Sequence, residues 1–93
     1  MSAPAQDCVL RLAPGCRLNT AEGREDFLLI PEGALRLKGP ARAIVELCDG
    51  QRAFREIVEV VKQRYPEGDP QRIETDVATL LASLHDRGVI EYV

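Results

Sequence analysis

Apolar and polar positions alternate along Ala34-Leu35-Arg36-Leu37-Lys38, with Leu35 and Leu37 on one face and Arg36 and Lys38 on the other. That is the period of a half-buried strand. Two further strand candidates precede it: Cys16-Arg17-Leu18-Asn19-Thr20, which alternates, and the short apolar run Asp26-Phe27-Leu28-Leu29-Ile30. Turn chemistry separates them. Pro14-Gly15 marks a turn, Ala21 to Glu25 is a polar connection of hairpin length, and Pro31-Glu32-Gly33 is a tight turn. The period then changes. Gly39-Pro40 opens a helix whose apolar positions are Ile44, Leu47 and Cys48, and Gly50 is read as its stop. A second helix spans about Ala53 to Tyr65, with Phe54, Ile57, Val58, Val61 and Tyr65 on one stripe. After Pro66-Glu67-Gly68, Asp69 is read as N-cap and Pro70 as first residue of a third helix. Ile73, Val77, Leu80, Leu81 and Leu84 form its stripe, and Gly88 ends it. Val89 to Val93 alternates and reads as a short terminal strand. Residues 1–11 offer only Val9 and Leu10 for burial and read as a flexible N-terminal arm.

This order predicts an α+β domain over residues 12–93: a three-stranded antiparallel sheet followed by three helices. The close spacing of the last two helices adds a winged-helix-turn-helix-like arrangement. The chain has 93 residues, enough for one core. Aromatic residues are 4% of it, so that core is aliphatic. The formal net charge of −3 argues against a nucleic-acid partner, which needs clustered cations. No run approaches the ~20 apolar residues that cross a bilayer, and the N-terminus has no signal-peptide pattern. A cytoplasmic protein without a membrane partner is the expectation.

Candidate chemistry is sparse. Cys8, Cys16 and Cys48 form no C-x-x-C pair, and His85 is the single histidine. Cys48 shares the stripe of Ile44 and reads as a core residue rather than a nucleophile. Its neighbour Asp49 reads as a turn residue. His85 has no cysteine or carboxylate at a zinc-site spacing, so neither a metal site nor a cofactor is expected. No nucleophile–base pair is visible, and the chain is read as a non-enzyme.

Three stretches carry a resemblance: Pro14-Gly15-Cys16-Arg17-Leu18, Leu29-Ile30-Pro31-Glu32-Gly33, and Leu47-Cys48-Asp49-Gly50. The downstream residues Glu56-Ile57-Val58, Tyr65, Asp76-Val77, Leu80-Leu81 and Gly88-Val89-Ile90 extend it. Together, from about Leu12 to Tyr92, they resemble the PqqD family of pyrroloquinoline quinone biosynthesis. The resemblance implies a peptide chaperone that binds the ribosomal precursor peptide PqqA and presents it to the radical SAM enzyme PqqE. It also implies that the peptide lies as an added strand beside the third strand, near the third helix. An edge strand carries unpaired N–H and C=O groups that an extended peptide can take.

On this reading the peptide-binding candidates are Leu35, Arg36, Leu37 and Lys38 on the strand. On the helix they are Thr75, Ala78, Ala82 and His85, which lie off the leucine stripe. Those helix positions are either a solvated face or the shallow wall of a groove. A separate enzyme-facing surface is assigned to the second helix, at Arg55 and Lys62. The arm allows either a monomer or an arm-exchanged dimer. The alternative is a DNA-binding winged helix. Against it, Arg72 and Arg87 are offset by Glu74, Asp76 and Asp86, whereas a major-groove helix is basic or polar.

Overall fold

The computed structural model describes residues 3–18, 26–37 and 39–93. Among the described residues nine elements follow one another: β1 (Val9–Leu12), β2 (Arg17–Leu18), β3 (Asp26–Ile30), β4 (Gly33–Leu37), α1 (Ala41–Glu46), β5 (Asp49–Ala53), α2 (Phe54–Arg64), α3 (Pro70–Asp86) and β6 (Ile90–Tyr92). The expected connection over residues 21–25 lies outside the described residues, as do Asn19, Thr20 and Lys38.

The strands form two antiparallel sheets where the sequence pattern predicts one. The first is the expected meander, ordered β2-β3-β4. In it Ile30 pairs with Gly33 across the two-residue Pro31-Glu32 turn, and Leu28 pairs with Leu35. The second sheet is ordered β5-β1-β6 and joins the beginning, middle and end of the chain. The residues read as a flexible arm therefore need correction. Val9–Leu12 is the central strand of this sheet, and Leu10 is fully buried. The preceding residues are bonded down as well: Phe54 N–H donates to Cys8 C=O at 2.8 Å and Arg55 N–H to Gln6 C=O at 3.2 Å.

Gly50 is the second correction. It lies in β5 at φ +81° and does not stop α1. The helix ends at Glu46, four residues earlier, where the N–H groups of Leu47 and Cys48 fall back on the carbonyls of Ile44 and Val45. Asp49 then turns the chain. Its carboxylate accepts from the N–H groups of Gln51 and Arg52 at 2.9 and 3.1 Å. The polar run Asp-Gly-Gln-Arg carries no strand signal, and only its pairing with β1 makes it a strand.

Local chemistry sets the other helix ends as read. Asp69 accepts from Gln71 N–H at 3.1 Å, with Pro70 in the first turn of α3. Gly88, at φ +76°, closes α3: its N–H donates to His85 C=O and Val89 N–H donates to Leu84 C=O, the Schellman pattern. Ala53 precedes α2 and receives one bond, its N–H donating to Glu56 Oε1 at 2.9 Å. The core lies between these layers and is aliphatic, with Leu10, Leu28, Ile57, Leu81 and Ile90 at its centre.

Candidate functional site

Strand β4 is an edge. Its residues pair with β3 on one side, and among the described residues no strand pairs with the other. Alternate residues on that open side carry backbone N–H and C=O groups without a ladder partner. The strand runs beside α3, and the two enclose a groove of about 330 Å³. Leu35, Leu37 and Ala41 line one wall; Leu80, Ser83, Leu84 and Arg87 line the other. The pleat explains the wall: Leu37 is buried and Leu35 half-buried, while Arg36 is exposed and sits 6.0 Å from the Phe27 ring centroid. Leu80, Ser83, Leu84 and Arg87 follow at i, i+3, i+4 and i+7, one face of the helix.

The expected site residues do not all meet here. Leu35, Arg36 and Leu37 line the groove. Thr75, Ala78 and Ala82 do not. They line a different cavity with Ala3, Pro4, Gln6 and Phe54, on a face of α3 that the N-terminal segment partly covers. Pro4 is buried there, and Gln6 Nε2 donates to Glu74 Oε2 at 3.3 Å. His85 lines a third surface, with its ring stacked on Tyr92 at a centroid distance of 3.8 Å and an interplanar angle of 15°. Its Nδ1 is buried without a hydrogen-bond partner. A helical wheel shows which residues share a face, but not which neighbour each face meets. The α3 residues that do face β4 are Leu80, Ser83, Leu84 and Arg87, and two of them, Leu80 and Leu84, belong to the five-residue apolar stripe.

The other candidates are placed as follows. Arg55 pairs with Asp7, which ties α2 to the N-terminal segment. Lys62 lies 3.8 Å from Glu59 on the same helix. Cys48 is buried, its Sγ 3.5 Å from Ile44 C=O, and burial, with Asp49 beside it, pushes its thiol up to about 12. A thiol held that high is not a nucleophile. Burial also raises the Cys8 and Cys16 thiols. All three cysteines are free. Among the described residues, no three His, Cys, Asp or Glu side chains are grouped to hold a metal ion, and no helix is long and apolar enough to cross a membrane.

What this arrangement can do is hold an extended chain: main-chain bonds from β4 and an apolar floor from α3. Comparison with known proteins bears on it. A family model described as "Coenzyme PQQ synthesis protein D (PqqD)" matches residues 25–90. The "PqqA binding protein" of Methylococcus capsulatus is 36% identical over 90% of this chain and 88% of its own. The "Bifunctional coenzyme PQQ synthesis protein C/D" of Methylorubrum extorquens is 37% identical over 89% of this chain, which spans 22% of that longer protein. Among solved structures, the PqqD truncation of Methylobacterium extorquens PqqCD superposes with a TM-score of 0.77 at 36% identity. The match covers 96% of this chain and 95% of that one, which is described as a stand-alone recognition element for ribosomally synthesized and post-translationally modified peptides.

Proposed function

The chain belongs to the PqqD family, and from that premise we propose that it binds the precursor peptide PqqA in the groove between β4 and α3 and presents it to the radical SAM enzyme PqqE. It carries out no chemistry of its own. The observation that supports this most directly is the open edge of β4 beside the apolar face of α3. The β5-β1-β6 sheet also has outer strands, but they suit the task less. Strand β6 has three residues, and β5 begins with exposed Asp49, Gly50 and Gln51. Strand β4 offers five residues with two leucines on one face. In this reading the β2-β3-β4 ribbon is the wing of a winged-helix-like domain, and the wing's edge recognises peptide. The DNA-binding alternative gains nothing from relatives named for binding a peptide.

Backbone NMR during titration with PqqA tests the proposal. Shifts are expected at Leu35, Arg36 and Leu37 and along Leu80 to Arg87. Shifts confined to Thr75, Ala78 and Ala82 would move the site to the opposite face of α3.

Presentation to an enzyme requires a second face. The polar side of α2 supplies one, with Arg55, paired to Asp7, and Lys62, 3.8 Å from Glu59 on the same helix, as its probes. Charge reversal at Arg55 and Lys62 should weaken PqqE binding, most at low salt, and leave PqqA affinity unchanged. Equal loss of both affinities with the fold intact would remove the two-face reading.

A further inference from the structure

The groove differs in charge from the rest of the molecule. The chain has 15 acidic and 12 basic residues, yet no described carboxylate lines the groove, and of the two arginines beside it Arg87 lies on the α3 wall while the Arg36 side chain lies on the other face of β4 over Phe27. Three other surface cavities each contain one: Glu74 beside Thr75, Glu91 beside His85, and Asp76 beside Tyr65. Cations elsewhere are largely consumed within the chain. Arg11 is 2.7 Å from Glu91, Arg52 is 2.5 Å from Asp49, and Arg55 is held by Asp7. Arg87 is exposed, and no described carboxylate lies within ion-pair distance of it.

Its backbone is nevertheless fixed. Arg87 is the C-cap of α3, its N–H donating to Ser83 C=O at 3.2 Å, with the Gly88 closure immediately after. The helix C-terminus favours a cation there. A guanidinium at the mouth of an apolar groove, without a carboxylate partner among the described residues, is built to take a carboxylate through two parallel hydrogen bonds.

Resting on the reading that a peptide adds to β4, we propose that the groove selects an acidic, amphipathic extended segment. Apolar side chains at alternate positions settle over Leu35, Leu37, Leu80 and Leu84, and a carboxylate where the segment passes the end of α3 pairs with Arg87. Arg87 is then the specificity-determining residue. A nucleic-acid strand, the other polyanion, is disfavoured because no aromatic ring lines the groove for bases to stack on.

The test is fluorescence anisotropy with two peptides, PqqA and the same sequence with every Asp and Glu replaced by Asn and Gln. The protein is used as the wild type, R87E, R87K and, as a control with a cation outside the groove, R64E. The wild type and R64E should bind the amide peptide about tenfold more weakly than PqqA, ~1.4 kcal/mol. R87E should lose about tenfold toward PqqA, with no change toward the amide peptide. R87K should recover part of the loss. Equal affinity of the wild type for both peptides, with NMR shifts still in the groove, overturns the charge selection and leaves the peptide site standing. So does an equal loss toward both peptides in R87E. Tighter binding of a labelled single-stranded oligonucleotide than of PqqA also overturns it. Absence of shifts at Leu35, Leu37, Leu80 and Leu84 with either peptide removes the groove site itself, and the charge selection with it. Removing the cation from the helix C-terminus lowers the R87E denaturation midpoint slightly, so binding is read well below that midpoint to separate specificity from folding.

Discussion

The two sheets have the same number of strands and opposite relations to the chain. The β5-β1-β6 sheet is assembled from the two termini and the middle, with its central strand enclosed on both edges. The β2-β3-β4 meander is assembled from neighbours and leaves β4 with one edge paired and one open. In the β5-β1-β6 sheet, side chains find partners within the chain: Arg11 pairs with Glu91 at the surface across β1 and β6, and Leu10 lies in the core. In the β2-β3-β4 sheet, Leu35 and Leu37 form an apolar wall that faces α3 across the groove. Long-range pairing takes up both edges of β1, and the edges that stay open in that sheet belong to the three-residue β6 and the polar β5. A local hairpin can leave an edge over for another molecule.

The sharpest way to break this contrast is Leu10→Ala. It removes a fully buried side chain from the enclosed strand and should cost about 2–5 kcal/mol of stability, read as a lower urea midpoint. A midpoint close to wild type would mean that the sheet joining the termini is not part of the cooperative core.

Leu35→Ala addresses the open sheet. Leu35 is half-buried, so its loss should move the midpoint less than Leu10→Ala does. PqqA binding, measured by calorimetry, should weaken about tenfold, ~1.4 kcal/mol. The reverse order of effects would make β4 structural and the groove incidental.

A scan of N-methylated PqqA peptides sharpens the comparison further. In strand addition, only alternate residues of the peptide point their N–H groups at β4. Methylation at those positions should each cost about 0.5–1.5 kcal/mol, and at the intervening ones little. A flat profile would argue for binding through side chains alone.

The smallest expected effect concerns the first turn of β5. Asp49 is held below the usual carboxylate range by the N–H of Gln51 first, then by the backbone and guanidinium of Arg52. A depressed pKa stabilises the fold above the unfolded value and is lost as pH falls through the folded one. The side chain is 37% exposed, so solvent screening holds Asp49→Asn to at most about 0.5 kcal/mol at pH 7. The difference between the two proteins should begin to shrink near pH ~3.9, the unfolded value, and vanish once the pH lies below the lowered folded value. A difference that persists in strong acid would assign the effect to shape rather than charge.

Much of this was legible in the sequence, and what was legible is local. The Asp69-Pro70 start and Gly88 stop of α3 follow from backbone bonds within a few residues. The Pro31-Glu32 hairpin, the buried stripe of α2 and the burial of Cys48 were readable for the same reason. The family was readable because turn motifs are short and stand at set separations.

Tertiary structure decided the rest. Whether Val9–Leu12 is a loose arm or a central strand depends on β5 and β6, some forty and eighty residues away in the chain. Asp-Gly-Gln-Arg is a strand only because β1 lies beside it. The site residues of α3 turned on the same distinction. Periodicity separates the faces of a helix, but the packing of α3 against the meander selects Leu80, Ser83, Leu84 and Arg87 as the wall beside β4. The packing of the N-terminal segment takes Thr75, Ala78 and Ala82 to another surface. A sequence pattern encodes what each residue does to its neighbours within one or two turns. The choice of which faces meet belongs to the free energy of the whole core.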